Sequence, residues 1–196
     1  MLALVIIVRT VFLDRDGVLN RKLPEGDYVT EWAQFEWLPG AVEAIARLNR
    51  AGLTVIVVSN QRGIALGRLT IDQLELLHRQ MRGQLAQNGA RVDAIYYCPH
   101  DKGECRCRKP DVGLFEQAMK DFPQLNAAHS VLIGDSLSDI QAGQRLGMRT
   151  ILIQGDPDRQ KAGAAAAANL ADGVALSLLQ AVESHLGLTA DNKSGS

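Results

Sequence analysis

Apolar residues gather along the chain in five short runs, separated by stretches in which they recur every three to four positions. The runs are LVIIVRTVFLD (4–14), LTVIVVSN (53–60), VDAIYYC (92–98), SVLIGD (130–135) and RTILIQ (149–154). They are rich in Val and Ile and nearly unbroken, the pattern of parallel strands covered on both faces. The stretches between them read as helices with marked ends. Residues 41–52 follow Pro39-Gly40 and stop at Gly52, a glycine suited to a helix C-terminus. Residues 70–89 open with Thr70 and Gln73 at capping-box spacing, and Ile71, Leu74, Leu77, Met81 and Leu85 then form one apolar stripe. Residues 111–122 follow Pro110, which is expected to set φ for the first helical turn, and residues 138–147 end at Gly147. Strand and helix in alternation specify an α/β fold with a doubly wound parallel sheet. Ligands of such sheets bind outside the carboxyl ends of the strands. The alanine-rich stretch 162–173 reads as a surface helix or linker before a last helix in 175–187. Residues 1–189 are expected to form one domain, and 190–196 a disordered tail.

Composition narrows the classes. The chain has 196 residues, enough for one domain with a sizeable core. Apolar residues at 46% and charged residues at 22% suit a soluble globular protein. A formal net charge of −1 opposes a general nucleic-acid binder. No apolar run approaches the roughly 18 to 20 residues of a membrane span. The opening MLALVIIV is short, lacks a basic leader and meets no cleavage site, so it reads as part of the first strand. Three cysteines cannot all pair within one chain, which disfavours a secreted disulfide framework. A cytoplasmic monomer that engages neither membrane nor nucleic acid is expected.

The chemistry stands where the strands end. The first run closes with FLDRDG, placing Asp14 and Asp16 at a strand terminus with Gly17 behind them. Two carboxylates so spaced can share a divalent cation and leave one oxygen to attack. The second run ends at Ser59, whose hydroxyl could grip a phosphoryl group. The fourth leads into Asp135 and Asp139, and Lys109 precedes the third crossover helix. Acids, hydroxyl and lysine converging on one crevice are what phosphoryl transfer with a hard cation requires. Asp139 reads equally as a support for that site or as a cap in the first turn of its helix.

Taken in order, DRDG, SNQ, CRKP and GD resemble the haloacid dehalogenase superfamily of phosphatases, over roughly residues 5 to 155. The resemblance implies a Rossmann-like fold and an aspartyl-phosphate mechanism. Asp14 would be the nucleophile and Asp16 the general acid and then base. Ser59 would hold phosphoryl oxygens, and Lys109 would neutralise charge. Mg²⁺ would be held by Asp14, Asp135 and the backbone carbonyl of Asp16.

All three cysteines lie in CPHDKGECRCRKP (98–110), where Cys98, His100, Cys105 and Cys107 read C-x-H-x4-C-x-C. Four such ligands suit a closed tetrahedral Zn²⁺ site, structural in character because no position is left open. Unligated thiols in a loop are the other reading. Zinc here would anchor Cys107 directly before Arg108 and Lys109 and so fix two cations against the crevice. The loop also resembles the branch holding heptose-1,7-bisphosphate 7-phosphatases and histidinol phosphatases, and NQRGIALG (60–67) is closer to the former. Three positions depart from the heptose pattern: Arg62, where a small residue is common, Leu66, where an arginine is common, and Ser136, where a lysine often follows the acid. About two dozen residues separate DRDG from the first helix, too few for a separate cap domain. Glu25, Gly26, Asp27 and Tyr28 are therefore expected to form a substrate-facing loop, with Asn60, Gln61, Arg62 and Arg108 completing the sugar and phosphate contacts. The expected substrate is a small phosphorylated sugar, foremost a heptose 1,7-bisphosphate cut at position 7. Histidinol phosphate is the alternative, and an inactive zinc-knuckle interaction module a second.

Overall fold

The structure, a computed structural model, describes residues 7–24, 26–155 and 163–190. Six strands form one sheet: β1 (Thr10–Leu13), β2 (Thr54–Asn60), β3 (Ala94–Cys98), β4 (Ser130–Gly134), β5 (Arg149–Ile153) and β6 (Gly173–Ala175). Six helices connect and flank them: α1 (Ala41–Arg50), α2 (Ile71–Gln87), α3 (Gly113–Asp121), α4 (Leu137–Arg145), α5 (Ala164–Leu170) and α6 (Leu178–Leu186). The strand order is β3-β2-β1-β4-β5-β6, with every pairing parallel. Thr10 faces Thr54 on one side and Ser130 on the other, so β1 is central. The chain winds outward in one direction from β1 through β3 and in the other from β4 onward. A crevice therefore opens at the carboxyl ends of β1 and β4.

Successive strand residues face opposite ways, and the core divides accordingly. Val11, Leu13, Val55, Val57, Val131 and Ile133 pack on one side with Ile45 and Leu48 of α1, Leu77 and Met81 of α2 and Val182 of α6. Phe12, Ile56, Val58 and Leu132 pack on the other against Leu114, Phe115 and Ala118 of α3 and Ala142 of α4. Phe12 and Phe115 meet edge to face at 5.2 Å. Both faces of the sheet are thus dry, which is why the strands read as continuous apolar runs.

The capping box that opens α2 is present, with Thr70 and Gln73 each bonding the other's backbone amide. Leu74, Leu77, Met81 and Leu85 of the expected stripe are buried. Ile71 is not: it is 51% exposed, in the first turn before the helix reaches the sheet. Pro110 also differs from expectation. It follows Lys109 through a cis peptide bond and lies ahead of α3, whose helical residues begin at Gly113. The intervening turn carries Asp111 N–H to Arg108 C=O (2.8 Å) and Gly113 N–H to Arg106 C=O (3.0 Å). β6 is an addition, three residues too short to show a pattern. Residues 4–6 of the first run, Ala162 and the tail from 191 onward lie outside the described residues. Among the described residues, no helix is long and apolar enough to cross a membrane.

Candidate active site

Asp14 follows β1 directly, and its N–H still bonds the Ile133 carbonyl of β4 at 3.0 Å, so the ladder itself sets its position. Gly17 turns the chain back at φ +95°. A Cβ there would lie 2.3 Å from Asp135 Oδ2, so only glycine lets the carboxylate after β4 lie against this turn. Oxygens of Asp14, Asp135 and Asp139 all fall within 4.8 Å of one another.

Lys109 closes this group from the other side. Its Nζ donates to the Val58 carbonyl at 2.7 Å and lies 3.0 Å from Asp14 Oδ1 and 2.6 Å from Asp139 Oδ1. Those three acceptors match the three N–H donors of an ammonium. Burial alone would drive the lysine toward neutrality, but the charges of Asp139 and Asp14 more than reverse it and raise its pKa. Asp139 meets both roles weighed for it: Oδ1 holds Lys109, while Oδ2 accepts from the Ser136 N–H and hydroxyl in a capping box that starts α4. Gly134 makes room, since a Cβ there would lie 2.2 Å from the Asp139 Cβ.

Asp16 is held differently. Its Oδ1 accepts from Asn20 Nδ2 at 2.9 Å and its Oδ2 from Gln61 Nε2 at 2.9 Å, while Arg15 Nη2 reaches both oxygens at 3.0 and 2.9 Å. Burial raises the Asp16 pKa, yet the Arg15 charge and these hydrogen bonds outweigh it and hold the carboxyl below 3.8.

Three of the expected substrate contacts, Asn60, Gln61 and Arg62, line the crevice and also bond protein groups. Asn60 pairs with the backbone of Lys109 in both directions, Nδ2 to its carbonyl at 3.1 Å and N–H to Oδ1 at 3.0 Å. Gln61 Nε2 bridges Asp16 and the Ser59 hydroxyl, the latter at 2.7 Å. Arg62 is paired in bidentate fashion with Asp101 of the cysteine loop, at 2.5 and 3.1 Å. Arg108 Nη1, by contrast, is buried and has no hydrogen-bond partner among the described residues. Gly26, Asp27, Tyr28, Ser59 and Arg108 line the crevice, which encloses about 930 Å³. Glu25 lies outside the described residues. Arg15, Asn20, Lys22, Lys102 and Ser136 were not among the expected site residues. Arg15 lies between the two acids of DRDGVLN and Asn20 ends that run, and Lys22 and Lys102 are basic residues of the crevice loops, so a signal was present for these four.

The cysteine loop leaves β3 at Cys98. Sulfur to sulfur, Cys98–Cys105 is 3.4 Å and Cys107 lies 3.2 Å from each of the others. His100 Nδ1 lies 3.7 Å from Cys98 and 3.3 Å from Cys107. One donor atom from each of the four residues lies within 4.8 Å of all the others. No disulfide forms.

A model of the HAD-hydrolase-like family (Hydrolase_like) matches residues 106–181. A D-glycero-alpha-D-manno-heptose-1,7-bisphosphate 7-phosphatase of Mycobacterium bovis is 42% identical over 132 residues, 67% of this chain and 69% of its own. The chain belongs to the haloacid dehalogenase (HAD) phosphatases. Another of these phosphatases, the D-glycero-beta-D-manno-heptose-1,7-bisphosphate 7-phosphatase of Vibrio cholerae, is 39% identical over 151 residues, 73% of this chain and 79% of its own. Among solved HAD structures, the D,D-heptose 1,7-bisphosphate phosphatase from B. bronchiseptica, complexed with magnesium and phosphate, matches with a TM-score of 0.81. It is 33% identical, over 93% of this chain and 100% of that one.

Proposed function

We propose that this HAD phosphatase hydrolyses the 7-phosphate of a heptose 1,7-bisphosphate through a phosphorylated Asp14. One observation carries the reading: Lys109 stands 3.0 Å from Asp14 in a crevice shared with Asp16 and an Arg108 nitrogen without a partner among the described residues. Asp14 Oδ attacks phosphorus, the new O–P bond forming as the bond to the sugar oxygen breaks. Asp16 passes a proton to the departing alkoxide. It then takes a proton from the water whose oxygen displaces Asp14 from phosphorus, restoring the carboxylate. The ionised form of Asp16, which the Arg15 charge and the hydrogen bonds to it favour, is the form that accepts the water's proton. The proton for the first step arrives with the substrate, since a phosphate monoester titrates near ~6 and carries one as its monoanion.

Lys109 offsets the repulsion between an anionic nucleophile and an anionic ester. A cation fits beside it. Both Asp139 oxygens are engaged by Lys109 and Ser136, so Asp14, Asp135 and the Asp16 backbone carbonyl are the groups that would hold Mg²⁺. The ion would supply further charge neutralisation at the phosphoryl oxygens. Ser59 would contact those oxygens, with Gln61 orienting its hydroxyl.

Cys98, His100, Cys105 and Cys107 fit a structural Zn²⁺. A tetrahedron with Zn–S near ~2.3 Å has sulfur–sulfur edges of about 3.8 Å, so the 3.2 to 3.4 Å separations here would open slightly around the ion. That centre would brace the turn from Cys107 to Lys109.

The cations Arg15, Lys22, Arg62, Lys102, Arg108 and Lys109 line the crevice against the acids Asp14, Asp16, Asp27 and Asp139. Such a lining suits two phosphates better than the amine and imidazole of histidinol phosphate. Nor does an inactive zinc-knuckle module account for the intact acid and lysine cluster. The test is phosphate release from both anomers of heptose 1,7-bisphosphate, from the corresponding 1-phosphate and 7-phosphate monoesters and from histidinol phosphate. The bisphosphate should give the highest kcat/KM, and Asp14→Asn should abolish turnover with the thermal midpoint retained. Turnover by clean Asp14→Asn protein would remove the nucleophile; equal efficiency on mono- and bisphosphates would reject the substrate and keep the chemistry.

A further inference from the structure

Behind Asp16 lies a buried pair that the reaction as described does not use. Arg15 is 1% exposed and His78, on α2, is 3% exposed. Arg15 Nη1 stands 3.4 Å from His78 Nε2, while its Nη2 grips both Asp16 oxygens and also reaches Gln61 Oε1 at 3.3 Å. A guanidinium can only donate, so His78 Nε2 accepts and the imidazole is neutral, its proton on Nδ1. Burial, with the Arg15 charge next, pushes the His78 pKa down to about 3; Asp16 opposes this and Arg82 adds to it. The ring is backed by Tyr97 of β3, centroids 5.7 Å apart.

Arg15 is a long side chain fixed at two ends, by its own backbone beside Asp14 and by His78 at Nη1. Without an acceptor at His78, a buried N–H is left unsatisfied and the guanidinium must turn to find another. Asp16 would turn with it. A proton-transfer group has to reach within about 3 Å of its target, and a displacement of about 1 Å can cost on the order of 100-fold in rate.

We propose that His78 is a positioning residue for proton transfer, holding Arg15 so that the Asp16 carboxyl is aimed at the leaving-group oxygen. The proposal rests on Asp16 being the acid–base group, and the experiment separates the two. His78→Gln and His78→Met have similar length, but only glutamine offers an acceptor. Each is assayed on heptose 1,7-bisphosphate, whose alkoxide needs a proton to leave, and on 4-nitrophenyl phosphate, whose phenolate does not. The readout is kcat/KM, which ends at phosphorylation of Asp14 and so leaves out the water step that Asp16 serves for both esters: His78→Met should lower it about tenfold or more on the sugar ester and by no more than about threefold on the aryl ester. His78→Gln should stay within about threefold on both. Asp16→Asn, run alongside, must show the same selective loss on the sugar ester. If it does and His78→Met matches His78→Gln, or loses equally on both esters, the positioning role is overturned while the Asp16 reading stands. If Asp16→Asn shows no such selectivity, the Asp16 reading falls and takes the proposal with it. Should the methionine variant not fold, His78→Leu repeats the comparison.

Discussion

Arg62 and Arg108 flank the crevice from two loops, yet the structure makes them unequal, and that inequality can be measured. Arg108 Nη1 is buried and lacks a partner among the described residues. A phosphate on the far end of the substrate would satisfy it with a charge-assisted hydrogen bond, worth about 1.5–3 kcal/mol. At about 1.4 kcal/mol per decade, Arg108→Ala should lower kcat/KM on the bisphosphate by roughly 10- to 150-fold. It should leave a small generic phosphate ester nearly unchanged, because Lys109 still serves the reacting group. Arg62 already spends its guanidinium on Asp101, with side chains 34% and 27% exposed. To bind the second phosphate it would have to give up that partly exposed pair, itself worth about 0–1 kcal/mol. Arg62→Ala should therefore cost less than Arg108→Ala on the same substrate. Asp101→Asn, which releases Arg62, should narrow the gap between mono- and bisphosphate no further and can widen it. Steady-state kinetics on both substrates with the three variants decide the matter. Equal losses from Arg108→Ala on mono- and bisphosphate, or a larger loss from Arg62→Ala than from Arg108→Ala, would refute the assignment.

Two further outcomes test the supports of the site. Elemental analysis should find about one zinc per chain, with Mg²⁺ required separately in the assay, and Cys105→Ser should lower thermal stability and activity together; metal-free protein with all thiols titratable and full activity and stability would overturn the zinc reading. Acid unfolding tests Asp16. Its folded pKa is depressed below 3.8, so the unfolded chain takes up that proton first; its stabilisation is complete above that value and fades as pH falls through the lower folded one. Asp16→Asn should flatten the slope of unfolding free energy against pH below 3.8, zinc release being common to both proteins and cancelling. An unchanged slope would show that Asp16 is not held in the charged form.

What could be read before folding was what local chemistry decides. Five strands announced themselves because a parallel sheet buries both faces of each one, and the start of α2 because a capping box spans only four residues. The four thiol and imidazole donors lie within ten residues, so their meeting needs little more than a loop that turns. Asp14 and Asp16 are neighbours at a strand end, and the order of strands in such a fold brings Asp135 to them. The tertiary structure decided who holds whom. Asn60, Gln61 and Arg62 look alike as crevice-facing polar residues, and all three line the crevice, but distances to Lys109, Asp16 and Asp101 give each a different protein partner as well. Asp139 carries two duties because its two oxygens face different groups, which a one-letter code does not record. β6 has no pattern of its own and forms because β5 offers an unpaired edge. His78 and Arg15 are 63 residues apart, and nothing near either in the chain marks the other. A polar side chain in a loop can satisfy itself with any donor or acceptor in reach, and only folding sets which ones are in reach.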